Sequence, residues 1–207
     1  MIFDITRTLR NGLPCWPGDT PYRFDLAWSK ADGATVNVGR LSTTIHVGTH
    51  VDAPFHFDDA GATVEALDLA PFLGLARVVD VRGRASIRVE DLEGLDLSGT
   101  PRLLLRTDGW ADPASFPESI PVVDRDVPGF LKGRGVILLG LDVPSVDAID
   151  SKDLPIHHAL GSAGIAILES VDLAGVEPGV YELIALPLKV AGGDGSPVRA
   201  ILRRAEP

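Results

Sequence analysis

One cysteine, Cys15, occurs in the 207 residues, so no internal disulfide can staple the fold and nothing in it calls for an oxidising compartment. Basic side chains are also scarce, 19 Lys and Arg against 29 Asp and Glu. The resulting net charge of −10 excludes the broad basic face with which a protein displaces counterions from nucleic acid. No stretch approaches the ~18 apolar residues of a membrane span, and the opening MIFDITRTLRNG lacks the apolar core of a signal peptide. The expectation is a cytoplasmic protein with no membrane partner. G-x-S-x-G is absent, which removes the nucleophile elbow of a serine hydrolase. Gly133, Gly135 and Gly140 lead into a strand-like run instead of following one, and Leu138 stands where the last glycine of a dinucleotide loop belongs. Nothing in PCWPGD marks Cys15 as an activated nucleophile.

What is present is an ordinary globular composition, 45% hydrophobic and 23% charged, long enough for one compact domain spanning residues 1–207. Branched-aliphatic runs separated by Gly, Pro and Asp predict strands over Ile2–Thr6, Val36–His46, Ala76–Val81, Arg102–Thr107, Gly135–Asp142, Ile165–Glu169, Tyr181–Leu186 and Val198–Arg203. Gly135–Asp142 is apolar almost throughout, as in a central strand covered on both faces. In Val36–His46 the alternation slips near Gly39, where a bulge is expected. Helices are few and short: Val64–Leu73, Arg88–Leu92 and Val127–Lys132. The pattern predicts an α/β protein that is mainly β, with a few short helices packed on the sheet.

Three of the five histidines, His46, His50 and His56, crowd into HVGTHVDAPFHF together with Asp52, giving H-x3-H-x-D-x3-H. Imidazole and carboxylate together suit a borderline divalent ion such as zinc. Gly48, Thr49, Val51 and Pro54 disfavour a helix, so a strand ending near His46 and a turn folding His50 and Asp52 back toward it are expected. A second group lies in LPIHHALGSAGIAILES. Glu169 ends an apolar run there and needs either a metal or a partner such as arginine. Of His157 and His158 one points inward, because adjacent side chains diverge. Together the clusters exceed the ligand set of one structural zinc and suggest a two-metal site, which favours hydrolysis of an amide or ester. Asp142 and Asp147 are available as ligands or, more in keeping with their turn, as caps. Trp16, in the stiff loop LPCWPGDTP, is either a core or lid aromatic or a stacking face for a planar substrate.

HVGTHVDAPFHF resembles the signature of the cyclase-like metal-dependent hydrolase family. CWPGDTP, VNVGRLS, LLGLDVPSVDAIDSKDLPIHH and ILES come in that family's order, from about residue 3 to residue 187, and resemble its kynurenine formamidase (arylformamidase) branch. The resemblance implies a swivelling β/β/α-type fold, a homodimer and two zinc ions per subunit. It implies that His46, His50 and Asp52 hold one metal, that Asp52 and Glu169 bridge to a second, and that His157 completes the second. His56 matches the family's proton donor and acceptor, and Trp16 an aromatic that touches substrate. Cys15 stands where an aliphatic residue is expected.

The implied activity is hydrolysis of N-formyl-L-kynurenine to L-kynurenine and formate. Arg40 and Arg106 are available for the substrate carboxylate, with neither singled out. Two other readings are a hydrolase of another aryl or cyclic amide, such as an isatin-type ring, and a metal-binding module without turnover. His56, which binding a metal does not require, speaks against the module.

Overall fold

The computed structural model describes residues 1–204. Its strands in chain order are β1 (Ile2–Asp4), β2 (Arg23–Trp28), β3 (Val38–Ser42), β4 (His50–Asp52), β5 (Leu73–Asp80), β6 (Ser86–Ile87), β7 (Arg102–Arg106), β8 (Val122–Val123), β9 (Leu138–Leu141), β10 (Ala166–Glu169), β11 (Gly179–Ile184), β12 (Gly195–Pro197) and β13 (Ile201–Arg204). The α-helices among the described residues are α1 (Val127–Gly133) and α2 (Pro155–Ala163). Nine strands form one sheet in the order β1-β13-β11-β5-β7-β9-β10-β4-β12. Its centre, β5-β7-β9-β10, is parallel, and antiparallel strands flank it on both sides. The sheet curls: just beyond β1, Ile5 O accepts from Asp172 N at 2.8 Å, and Thr6 bridges Val171 beyond β10.

Strict alternation along the central strands produces two cores. Val79, Leu103, Leu105, Leu139, Leu141 and Ile167 face the side where Val127 and Leu131 of α1 and Ile156 and Leu160 of α2 pack. Val78, Leu104, Leu138 and Leu168 face the other side, where Ile5, Phe72, Leu183 and Leu202 close over them. The expected central strand is borne out as β9, buried along its whole length between β7 and β10.

Three local expectations are corrected. Val36–His46 contains a strand only over β3, which pairs with β2 in an exposed two-stranded ribbon, and residues 43–49 turn. The irregularity foreseen near Gly39 falls on the facing strand, between Leu26 and Trp28. Val64–Leu73 is not one helix but two 3-10 turns, Val64–Ala66 and Ala70–Phe72. Pro71 removes a helical donor, and Leu73 already opens β5. The missed helix is α2.

Gly140 on β9 lies opposite Leu104 on β7, and a Cβ at Gly140 would sit 2.3 Å from Leu104 Cδ2. Gly140→Ala is therefore expected to lower stability by about 1–3 kcal/mol, read as a lower denaturant midpoint at constant slope. Leu104→Val in the same chain should recover part of that loss, so additive losses would contradict this packing.

Candidate metal centre

β4 and β10 pair antiparallel with Glu169 opposite His50 and Ile167 opposite Asp52. Alternation then sends Val51 and Leu168 into one core and His50, Asp52 and Glu169 to the opposite face. All three polar residues are almost fully buried. α2 brings His157 over that face, and the turn before β4 brings His46.

The donor atoms converge on Asp52. Its Oδ1 lies 3.0 Å from His46 Nδ1 and 3.4 Å from His50 Nε2, and its Oδ2 lies 3.5 Å from His157 Nε2. Glu169 repeats the division, with Oε2 3.5 Å from His50 Nε2 and Oε1 3.6 Å from His157 Nε2. Each carboxylate thus offers one oxygen to each of two neighbouring positions. His50, Asp52 and Glu169 form one group of mutually close donors, and His46, Asp52 and His56 another.

Each of the three inner histidines is held at its far nitrogen. His50 Nδ1 donates to Gly48 O at 2.8 Å, His157 Nδ1 donates to Asp147 Oδ2 at 2.7 Å, and His46 Nε2 lies 3.0 Å from Asp194 Oδ2. Holding one ring nitrogen fixes the tautomer and points the other lone pair at Asp52. His50 Nε2 and Asp52 Oδ2 are nevertheless buried without a hydrogen-bond partner. An orphaned imidazole nitrogen beside an orphaned carboxylate oxygen is costly unless a cation lies between them, and N/O donors of this kind fit a zinc-like ion.

The titration behaviour agrees. Burial alone would lower His50 and His157. The nearby Asp52 and Glu169 carboxylates lift His50 to about 10, and Asp147 and Asp52 lift His157 to about 10. Glu169 is pushed up by burial and by the neighbouring Asp52 charge. Asp52 stays well below the usual carboxylate range despite its burial, because His157, His46 and His50 crowd around it. The buried carboxylates demand positive charge, and metal ions can deliver it in place of protons. His56 behaves oppositely: burial and the His46 charge hold it down at about 4. It sits on the short turn Pro54–His56, its ring stacked 3.9 Å from that of His46 and its Nδ1 3.9 Å from Asp194 Oδ2.

A cavity of about 410 Å³ opens onto this cluster, lined by Trp16, His46, His56, His157 and Glu169 among others. Trp16 meets Phe116 edge to face at 5.4 Å, and Phe116 in turn meets Trp110. All seven positions singled out as site residues in the sequence therefore share one cluster and cavity. His157 is the buried member of its pair, while His158 is exposed against Phe57.

Sequence reasoning missed or misplaced several others. Asp194 lies in AGGDGSP, which reads as a bare turn, and no local signal marks it. Asp147 acts as a remote cap, accepting from Ile156 N and His157 N at the start of α2. Asp142 accepts from Thr107 N and Asp108 N just beyond β7, so it holds the neighbouring strand's end rather than capping its own turn. Arg40 pairs with Asp25 and Arg106 with Asp108, so neither is free for a substrate. Cys15 is half-buried, and burial and Asp19 push its thiol up, against any nucleophilic role. Ser170 (φ 57°) and Leu154 (φ 42°) hold left-handed conformations next to Glu169 and just before α2. Backbone strain collects at such sites when the surroundings over-determine the geometry.

The fold and the His/Asp/Glu cluster define a metal-dependent hydrolase. A solved structure described as a potential metal-dependent hydrolase with cyclase activity matches at TM-score 0.85 and 27% identity, covering 100% of this chain and 99% of that one. Isatin hydrolase A from Ralstonia solanacearum matches at TM-score 0.82 and 25% identity, covering 98% and 91%. The family model "Putative cyclase" matches residues 3–148, and a kynurenine formamidase of Bacillus cereus is 50% identical over 200 residues, 97% of this chain and 96% of its own. The chain belongs to the cyclase family.

Asp147→Asn removes one of the oxygens that cap α2 and hold His157. The variant is expected to keep its far-UV circular dichroism yet bind zinc about 10–100-fold more weakly in competition with a chelating dye. Unchanged zinc affinity would show that Asp147 does not orient His157.

Proposed function

We propose that the chain hydrolyses N-formyl-L-kynurenine to L-kynurenine and formate, using two zinc ions. His46, His50 and Asp52 would hold one ion, and Asp52, Glu169 and His157 would hold the second. The observation that carries the two-ion reading is the division of both carboxylates, one oxygen of each toward His50 and the other toward His157. The substrate reading rests on the 50% identity to a kynurenine formamidase, against 25% to an isatin hydrolase, so the formamide is favoured over the cyclic amide.

When bound, the ions supply Lewis-acid polarisation of the formyl oxygen and lower the pKa of water. The rest falls to the chain. The cavity sets the aryl ring against Trp16, whose own ring is braced by Phe116. His56, outside the proposed ligand set and held at about 4, is neutral near pH 7 and has a free lone pair. It accepts a proton from water as the C–O bond forms, and it returns the proton to the aryl nitrogen as the C–N bond breaks. Formate and the amine leave.

Two copies of the chain pair. The support is the β2–β3 ribbon, which leaves Phe24, Leu26, Trp28, Val38 and Leu41 exposed, more apolar surface than one protomer covers. Light scattering of the purified protein is expected to give twice the chain mass, and a monomer at micromolar concentration would contradict the pairing. The proposed compartment is the cytoplasm, in keeping with the lone cysteine. Among the described residues no helix is long and apolar enough to cross a membrane.

Purified protein given N-formyl-L-kynurenine is expected to release kynurenine, to lose that activity on exhaustive chelation, and to regain it with zinc. Release that survives metal removal would overturn the mechanism, and zinc-loaded protein without activity would overturn the substrate. His56→Ala should slow turnover by roughly 10²–10⁴-fold while zinc content stays near that of the parent. Lost zinc would instead make His56 a ligand.

A further inference from the structure

The cavity beside the metal centre carries charges that neither the proposed ions nor their neighbours use. Of its carboxylates, Glu169 faces His50 and His157, and Asp194 faces His46 and His56. Asp19 is the remaining one, and its side-chain partner is the Thr44 hydroxyl, which donates to Oδ2 at 3.2 Å. Lys152 is the sole Lys or Arg in the lining. Among the described residues neither Asp19 nor Lys152 forms a salt bridge, with each other or with any other group, although both line the same space. An unpaired cation and an unpaired carboxylate around one cavity are the complement of a zwitterion.

Both groups are set on stiff supports. Trp16-Pro17-Gly18-Asp19 is a tight turn in which Asp19 N donates to Trp16 O at 3.0 Å, with Gly18 at φ 98°. Proline followed by a glycine with positive φ is the pattern of a type II turn, so the Trp16 ring and the Asp19 carboxylate ride on one rigid unit. Lys152 lies in the connection between β9 and α2. That connection is tied to α2 by the Asp147 cap and ends at Leu154, directly before Pro155 opens the helix that carries His157. The hydroxyl-bearing Ser145 and Ser151 line the cavity on the same connection.

Charge balance gives Lys152 a purpose. A carboxylate-bearing ligand that enters this protein of net charge −10 must pass Asp194, a carboxylate of the cavity wall outside the proposed ligand set. Without a cation at the wall, like charges would repel it. The ammonium of the same ligand would in turn need an acceptor, which Asp19 provides.

We infer that Lys152 and Asp19 recognise the α-carboxylate and α-ammonium of an amino-acid group on the substrate, and so set the specificity of the site for an aryl formamide that carries one. The inference rests on the formamidase reading and adds to it residues that select the substrate without taking part in bond breaking. Lys152 and Asp19 act on binding, whereas His56 acts on the reacting atoms. Removing either charge should therefore raise KM much more than it lowers kcat.

The test uses zinc-loaded protein and two substrates: N-formyl-L-kynurenine and 2′-formamidoacetophenone, which keeps the aryl formamide and lacks the amino-acid group. Lys152→Met is expected to raise KM for N-formyl-L-kynurenine by about ten- to a hundredfold, the range of one charge-assisted hydrogen bond. Its effect on the acetophenone should be at least tenfold smaller, and Lys152→Arg should restore most of the loss. Asp19→Asn should give the same selective pattern. Zinc content and calorimetric binding of L-kynurenine to each variant separate lost recognition from lost folding. Equal losses on both substrates, or an unaltered KM for N-formyl-L-kynurenine, would overturn the assignment. Parent protein that cleaves the acetophenone but not N-formyl-L-kynurenine would overturn it too, and would leave the aryl-formamidase chemistry standing. Parent protein inactive on both would overturn both readings.

Discussion

Everything around the site answers to two carboxylates, Asp52 and Glu169, buried side by side on paired strands. A buried carboxylate is tolerated only where positive charge or several hydrogen bonds compensate it. Three imidazoles supply that compensation, and each is itself tied from behind, to a backbone carbonyl at Gly48 or to a carboxylate at Asp147 or Asp194. The centre is therefore a layered charge network, with the orphaned His50 Nε2 and Asp52 Oδ2 left at its middle for cations. Such a network is sensitive to any loss of a member, because the partner left behind stays buried and uncompensated.

The two cores make this arrangement rigid. Val51 and Leu168 alternate with the polar residues on β4 and β10 and anchor the back of both strands. Steric demands at neighbouring glycines tie the outer pieces down as well. A Cβ at Gly195 would sit 2.6 Å from Val51 O and 3.2 Å from His46 Cε1, so β12 can lie against the ligand-bearing strand only as glycine there. A Cβ at Gly61 would meet the Pro54 backbone at 2.5 Å, beneath the turn that carries His56. Preorganisation of this kind lets bound groups act without reorganising when charge moves.

Legibility from sequence tracked the range of the interactions. Local patterns were readable: near-continuous apolar runs marked the central strands, and the dense H-x3-H-x-D-x3-H run marked most of the site. α2 was not readable. Its sequence PIHHALGSA holds a glycine and two histidines, and no capping side chain sits next to its start. Its cap is Asp147, nine residues before the amide it accepts from. The strand expected up to His46 also failed. The ribbon ends at Ser42, and residues 43–49 lie outside any strand, with His46 in the segment hydrogen-bonded to Asp52 and Asp194 from elsewhere in the site.

The sequence by itself determined the donor chemistry: which imidazoles and carboxylates exist, that HVGTHVDAPFHF concentrates them, and, through resemblance, the family. Only the tertiary structure decided which donors meet. Strand register placed Glu169 opposite His50, and helix placement chose His157 over His158. The turn before β12 delivered Asp194 from 148 residues beyond His46. The cavity, in turn, placed Lys152 and Asp19 around one space, while Arg40 and Arg106 were taken up by Asp25 and Asp108. The physical reason is that residue type sets what a group can do, whereas the field and neighbours that make it do so come from chain segments that only folding brings together.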